Sequence, residues 1–490
     1  MGTAKLLKDK SLPPDKLIDM VSSKGGTTER GMQTLTESDI NNVIEKTVES
    51  ATERSKELNS LKEESQQQQI TTESPKKLSN VEQIVANAKK GSHSILNISS
   101  ADKELLLVRL VENLKTNKSQ INIENKKDLE NAKKKGLSEA FIQRLEVTDK
   151  VFDEMIDGIK TIIELEDPND RILEEKQLAN GLNLKKVSVP LGVVLIIYES
   201  RPNVTLDVST ICIKSGNAVI LKGGSDAINT NRAIYNLIKK SFKDENLDPN
   251  VVQFVDSTDH AMTDELLEQK DIDVVIPRGG KELIKKVSES SSIPIIKHDD
   301  GICTIYVDED ADPYVAMETI VNAKCQKPSA CNAVENVLVH KEMAESFLPL
   351  IFNQLKEQNV EVRGCPKTKK HIECKDATEE DWKTEYLDKI ISIKIVENID
   401  EAITFINTYG SKHSDAIISQ DENNVKKFFK EVDSACLYHN ASTRFTDGGQ
   451  FGMGCEMGIS TQKLHARGPV ALKEMTSYKW PIEGDGQVRD

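Results

Sequence analysis

The stretch Val321-Asn322-Ala323-Lys324-Cys325-Gln326-Lys327-Pro328-Ser329-Ala330-Cys331-Asn332 gathers lysines, amides, a hydroxyl and two thiols. Cys331 follows a Pro-Ser turn and precedes VENVLVH, a run that reads as a strand. A thiol on a loop that feeds a rigid strand is well placed to act as a nucleophile. Only the thiolate reacts, and polar, cationic surroundings predict a lowered pKa. A cysteine in such a run serves equally as a small core residue, so other segments must decide.

Two of those segments end strands with glycines, LKGGSDAINT and IPRGGKELIKK. Neither is a G-x-G-x-x-G fingerprint. Glycines there let a ligand approach the backbone, and the N-terminus of a following helix favours phosphate. Lys222 and Arg278 add cationic donors to the turns Gly223-Gly224-Ser225 and Gly279-Gly280; the same residues would also suit plain solvated turns. No acid directly follows Lys222-Gly223-Gly224. Ser225 leaves room for a ribose 2′-phosphate, and the lean toward NADP is tempered by Asp226 beside it. In YESRPN, at the end of another apolar strand, Ser200, Arg201 and Asn203 are candidate donors to an anion. The donor-rich run Asn440 to Gly449 could hold a carboxylate, an ammonium or a phosphate.

The elements that must carry these loops alternate. Val193–Tyr198, Ala218–Leu221, Val252–Val255, Asp273–Ile276 and Thr304–Val307 read as strands, with helical runs between them. Repeated strand-helix-strand units predict a mostly parallel sheet covered on both faces. Ligands then bind at the carboxyl ends of the strands. From Val334 onward the alternation recurs less regularly, which predicts a second α/β domain. Asn180-Gly181 between alternating runs signals a β-hairpin, and the tail from Ser477 is expected to return to it. Amphipathic helices fill residues 81–165. Residues 1–80 contain no aromatic residue, histidine or cysteine and include Gln66 to Gln69. They are read as largely disordered, with a short helix over Asp39–Lys62 as an alternative.

Bulk composition narrows the function. The 490 residues carry a net charge of −15, which argues against a nucleic-acid partner. No apolar run is long enough to span a membrane, and no signal peptide is evident at the N-terminus. The eight cysteines show no zinc-site spacing, and in a chain of this size they read as reduced thiols, consistent with a cytoplasmic protein.

Taken together, YESRPNV, KSGNAVILKGG, PRGGKELI, NAKCQKPSACNAVE, HSDAII, NASTRFTDGGQFG and STQKLHARGPVAL resemble the gamma-glutamyl phosphate reductases (glutamate-5-semialdehyde dehydrogenases) of the aldehyde dehydrogenase superfamily. The resemblance runs from about Val81 to Asp490. It implies an aldehyde-dehydrogenase-like α/β fold of two doubly wound domains plus a protruding hairpin for oligomerisation. The expected division is a disordered extension at 1–80, an NADPH-binding domain at 81–320 with its hairpin at 172–188, and a catalytic domain at 321–462. Residues 463–490 then return to the cofactor domain as an oligomerisation tail. The implied activity is NADPH-dependent reduction of L-glutamate 5-phosphate to L-glutamate 5-semialdehyde through a cysteine thioester, in proline biosynthesis from glutamate. Cys331 is then the nucleophile, with Ser200 or Asn322 assisting at the oxyanion. Lys222 is expected at the adenosine ribose or its phosphate, and Glu385 at the nicotinamide ribose. Arg201, Asn440, Ser442, Thr443 and Arg444 are the expected substrate contacts, and no metal is expected. A homo-oligomer and a separate glutamate 5-kinase are the expected partners. Where hydrolytic relatives carry E-L-G-G, this chain has Asp299-Asp300-Gly301-Ile302, without the water-activating glutamate.

Overall fold

The computed structural model describes residues 26–39, 42, 46–47, 49–50, 79–199, 201–259, 261–297 and 300–489. Two units divide at Lys77 and Leu78. In the first, helix α1 spans Thr27–Glu37. The alternative helix over Asp39–Lys62 lies mostly outside the described residues.

The second unit is built around two parallel sheets. In the first sheet the order is β5 (Val252–Phe254), β4 (Ala218–Gly223), β3 (Val193–Tyr198), β6 (Val274–Arg278). Every neighbouring pair is parallel. β3 is buried at all six positions, as a strand covered on both faces must be. Alternate side chains split between two cores. Val193, Leu195 and Ile197 meet Val81, Val85 and Ala88 of helix α2 (Asn80–Ile95). Val194, Ile196 and Tyr198 join the core made with α3 (Ser100–Thr116), α6 (Asp149–Glu164), α7 (Pro202–Lys214) and α8 (Ile228–Asp244). Between these elements lie α4 (Lys118–Lys134) and α5 (Glu139–Leu145), and later α9 (Ala261–Leu267) and α10 (Lys281–Ser290). Ser79 opens α2 with a capping box, its hydroxyl accepting from Glu82 N while Glu82 reaches back to Ser79 N.

The second sheet has seven parallel strands. They run β10 (Lys375–Asp376), β9 (Glu361–Gly364), β11 (Ile390–Val396), β8 (Val334–His340), β7 (Cys303–Val307), β12 (Ser414–Ile418), β13 (Cys436–His439). One face packs on α11 (Pro313–Cys325) and α12 (Lys341–Glu357). The other packs on α13 (Ile399–Tyr409) and α14 (Glu422–Glu431). The sequence boundary at residue 320 therefore falls too late. β7 and α11 belong to the second sheet because β7 pairs with β8 and β12; its apolar run alone carried no information about its neighbours.

A third layer is antiparallel. β1 (Ile172–Gln177) and β2 (Asn183–Pro190) form the expected hairpin, with Gly181 at φ +87° in the turn. The tail returns to it as β16 (Thr476–Lys479) and β17 (Ile482–Glu483), both paired with β2. A short ribbon of β14 (Gly458–Ser460) and β15 (Gly468–Val470) precedes that return. β1 is exposed along its whole length, and Ile172, Leu173, Tyr478 and Ile482 are each more than half exposed.

One ion pair ties α11 to β8. Lys324 Nζ donates to Glu335 Oε2 at 2.6 Å, and both side chains are fully buried. Burial pushes the Glu335 carboxyl up in pKa, and Lys324 opposes that shift. Removing one member of such a pair strands the other charge in a desolvated site. Glu335→Gln is expected to lower unfolding stability by about 3 kcal/mol in urea denaturation, whereas Lys324→Met with Glu335→Leu recovers much of it.

Candidate active site

The first sheet's loops leave from its carboxyl edge: Glu199 to Arg201 after β3, Gly223 to Ser225 after β4, and Arg278 to Gly280 after β6. Cys331 lies three residues before β8, at the amino edge of the second sheet. Gly301 lies two residues before β7 and touches it. A β-carbon at Gly301 would fall 1.9 Å from the Cys331 carbonyl oxygen, so only glycine fits. Cys303 Sγ donates to the same carbonyl at 3.4 Å. Asn332, beside Cys331, is buried and donates to the carbonyls of Thr446 at 2.8 Å and Arg444 at 3.3 Å. Thr443 Oγ1 closes the loop by donating to Asn332 O at 2.7 Å. The thiol is thus fixed through its backbone from both sides.

The thiol is only partly exposed, and burial pushes its pKa up to about 11. Arg278 and Arg444 pull it down, while Glu456 and Glu385 push it up. The expectation of a lowered pKa is overturned for the ligand-free protein, because desolvation outweighs the neighbouring cations.

Those cations form a cluster. Arg201 is disfavoured as a cation first by burial, then by Arg278 and Arg144, with Cys331 acting in the opposite sense. Lys327 is disfavoured by burial, then by Arg201 and Arg444. Mutually repelling guanidinium and ammonium groups beside a thiol make a receptor for anions. Arg278, expected at the cofactor, contributes the largest cationic influence on Cys331 and packs on Gly458. A turn motif could not reveal which way so long a side chain points.

Other expected residues have different employment. Asn440, at φ +52°, exchanges hydrogen bonds with the Ser419 backbone at 3.1 Å in both directions. Ser442 Oγ accepts from Arg444 N at 3.3 Å, and Thr443 is fully buried. These three shape the loop that carries Arg444, whose Nε donates to Gln326 at 2.9 Å. Asn322 is exposed on α11, on the side away from the buried Ala323 and Lys324, which does not suit an oxyanion donor. Ser200 lies outside the described residues. Sequence reasoning named Asn332, Gly301 and Lys327 without giving them a role, and did not single out Glu456. The match of Gly301 to a glycine of the E-L-G-G motif was the available signal for it.

The dinucleotide elements lie along the first sheet's edge. Lys222 is largely buried, and its Nζ donates to Ser257 O at 2.9 Å. Asp226 is drawn into an ion pair with Lys135 at 2.7 Å, away from the turn it follows. Gly280, the N-cap of α10, has its amide directed at a carboxylate, Glu199 Oε2, at 2.8 Å. That carboxylate stands where a phosphate oxygen would be received, so these residues fit a dinucleotide phosphate. Glu385 Oε1 accepts from Gly301 N at 3.0 Å, which places its carboxylate next to the Cys331 loop. Lys281 holds Asp300 at 3.0 Å. Among the described residues no cluster of histidine, cysteine and carboxylate side chains suits a metal ion.

Two parallel sheets, with a thiol at the amino edge of one and Arg278 at the carboxyl edge of the other acting on it, define a cysteine-dependent, dinucleotide-linked oxidoreductase fold. The chain belongs to the aldehyde dehydrogenase family, whose model matches residues 49–369. Within that family its relatives are gamma-glutamyl phosphate reductases. The protein of that name from Dictyoglomus thermophilum is 46% identical over 415 residues, covering 84% of this chain and all of the relative. The one from Clostridium botulinum (strain Eklund 17B / Type B) is 48% identical over 404 residues, covering 82% and 98%. The crystal structure of gamma-glutamyl phosphate reductase from Thermotoga maritima superposes with a TM-score of 0.83 at 42% identity, over 84% of this chain and all of that one. An acetylating aldehyde dehydrogenase from Geobacillus thermoglucosidasius shares the fold, with a TM-score of 0.61 at 15% identity. A second model, pyrroline-5-carboxylate reductase dimerisation, matches residues 1–58. That match gives the N-terminal segment a relationship that its composition did not signal.

The raised thiol pKa has a direct readout. Alkylation of Cys331 by iodoacetamide in the ligand-free protein should be slow at pH 7 and rise roughly tenfold per pH unit toward pH 10. Mass spectrometry of the Cys331 peptide measures it. A plateau already reached at pH 8 would contradict the burial argument.

Proposed function

We propose that the seam around Cys331 is where the chain reduces L-glutamate 5-phosphate to L-glutamate 5-semialdehyde and phosphate, through a thioester on that residue. The observation that carries this reading is the half-buried thiol under the influence of Arg278 and Arg444, with Arg201 and Lys327 in the same cationic cluster. Bound NADPH supplies the hydride. Cys331 Sγ attacks the acyl carbon, the C–O bond to phosphate breaks, and phosphate leaves with the electron pair. The cations stabilise the departing phosphate and raise the fraction of thiolate once substrate is bound. After reduction of the thioester carbon, the thiohemiacetal expels Cys331 and releases the aldehyde, which cyclises to 1-pyrroline-5-carboxylate. Backbone amides at the Cys331 loop, with Ser200 as a candidate side chain, meet the oxyanion.

Glu385 orients the nicotinamide ribose, and Lys222 meets the adenosine ribose or its phosphate. Gly223, Gly224 and Ser225, with Gly279 and Gly280, let the phosphates approach the backbone. Arg201 and Arg444 hold the anionic ends of the substrate. Asp300 is engaged by Lys281, which suits an enzyme whose thioester must meet hydride before water. The first sheet serves the cofactor and the second carries catalysis. The exposed β1 edge and the tail suit a homo-oligomer, and the dimerisation match at residues 1–58 supports further self-association. A separate glutamate 5-kinase and a cytoplasmic setting complete the reading; among the described residues no helix is long and apolar enough to cross a membrane.

Semialdehyde, phosphate and NADP⁺ should together yield NADPH, and omission of phosphate should abolish the signal. Cys331→Ser is expected to lower kcat at least ~1,000-fold with an unchanged melting profile, and Cys325→Ser to be mild. Rapid quench and mass spectrometry should find a glutamyl adduct on Cys331; its absence would overturn the mechanism. Leu173→Glu on β1 should lower the molar mass measured by light scattering.

A further inference from the structure

The substrate read above bears two anionic groups and one cation, its α-ammonium. Arg201, Arg278, Lys327 and Arg444 account for the anions, and the cation needs an acceptor of its own. Most nearby acids are occupied. Glu385 accepts from Gly301 N, Glu456 from Gly448 N at 2.7 Å, and Asp447 from Gly449 N at 2.9 Å.

Helix α7 offers another. It springs from Arg201 at the first sheet's carboxyl edge, and of its thirteen residues eleven are buried. The two that reach solvent are Asn203 and Asp207, one turn apart on one face at the cleft end. Asn203 Nδ2 donates to Asp207 Oδ2 at 2.9 Å. Among the described residues no other donor reaches the Asp207 carboxylate. Burial pushes its pKa up to about 6, with Asn203 and Arg278 pulling the other way. At neutral pH it is therefore mostly ionised while only partly solvated. Asp207 is coupled to Arg278, the same guanidinium that acts most strongly on Cys331, so the half-buried carboxylate lies within electrostatic reach of the cationic cluster.

We propose that Asp207, steadied by Asn203, receives the α-ammonium group of the substrate and selects α-amino acyl phosphates over their des-amino counterparts. The inference rests on the proposed reaction at Cys331. The Asn203 amide fixes the carboxylate's rotamer and leaves one oxygen for the incoming cation. A des-amino acyl phosphate leaves that carboxylate uncompensated against the rest of its chain, so discrimination arises from an unpaired charge.

The test compares L-glutamate 5-semialdehyde with 5-oxopentanoate, its des-amino analogue, in the phosphate- and NADP⁺-dependent direction. The wild-type protein should favour the amino substrate in kcat/KM. Asp207→Asn should shrink the ratio of the two kcat/KM values by about 100-fold, mainly through KM for the amino substrate. Asp207→Ala should do the same, and Asn203→Ala should shrink the ratio partially. Thermal melts establish which variants fold, and Asn203→Ala alone suffices to read the ratio if neither Asp207 variant does. Equal losses on both substrates would make Asp207 structural and overturn the inference. So would an unchanged ratio, or a ratio that collapses with Glu456→Gln instead. A wild-type protein inert toward both substrates would overturn the proposed reaction itself, whereas an active one with no preference would overturn only this inference.

Discussion

Everything at the seam depends on how closely Gly301 and Cys331 approach. The glycine lies against the Cys331 carbonyl, leaving no room for a side chain. This contact joins the entry of β7 to the entry of β8, so the thiol is placed by two adjacent central strands rather than by a free loop. Glu385 accepts from the same glycine's amide. One crowded residue therefore fixes both the Cys331 loop and the Glu385 carboxylate. Precision here comes from backbone contact, which has fewer torsions to freeze than a side-chain network.

Enclosure works against the chemistry and for it. Desolvation holds the thiol protonated, and two acids reinforce that; the cations near it push the other way. In the ligand-free protein the first effect wins. An anion that settles among Arg201, Arg278, Lys327 and Arg444 relieves their mutual repulsion, and the dry surroundings then strengthen each remaining electrostatic contact. Behind the site, the buried Lys324–Glu335 pair and the Leu387 amide that donates to Glu335 at 3.4 Å steady the segment bearing Glu385.

Strand and helix alternation made the two-sheet architecture readable, because a doubly covered strand must be apolar along its length, as β3 is. The hairpin was legible from Asn180-Gly181 and alternating polarity. The thiol loop and the glycine turns were legible as chemistry in the wrong proportions. Long side chains and loop scaffolds were the weak points. Arg278 sits in a turn motif yet acts on the thiol, and Asn440, Ser442 and Thr443 hold backbone hydrogen bonds that a sequence reading could not foresee. Nothing in a linear reading distinguishes a donor aimed at solvent from one spent on a neighbouring carbonyl. The second sheet's true beginning at β7 was likewise invisible, since pairing is a long-range property. Cys331's pKa depends on how completely it is surrounded, which the cations in its own segment do not report.

The Glu199 carboxylate on the Gly280 amide carries a further consequence. Any anion bound at that helix end would have to displace this carboxylate from the amide, so its hold would be set by the difference between two acceptors for one donor.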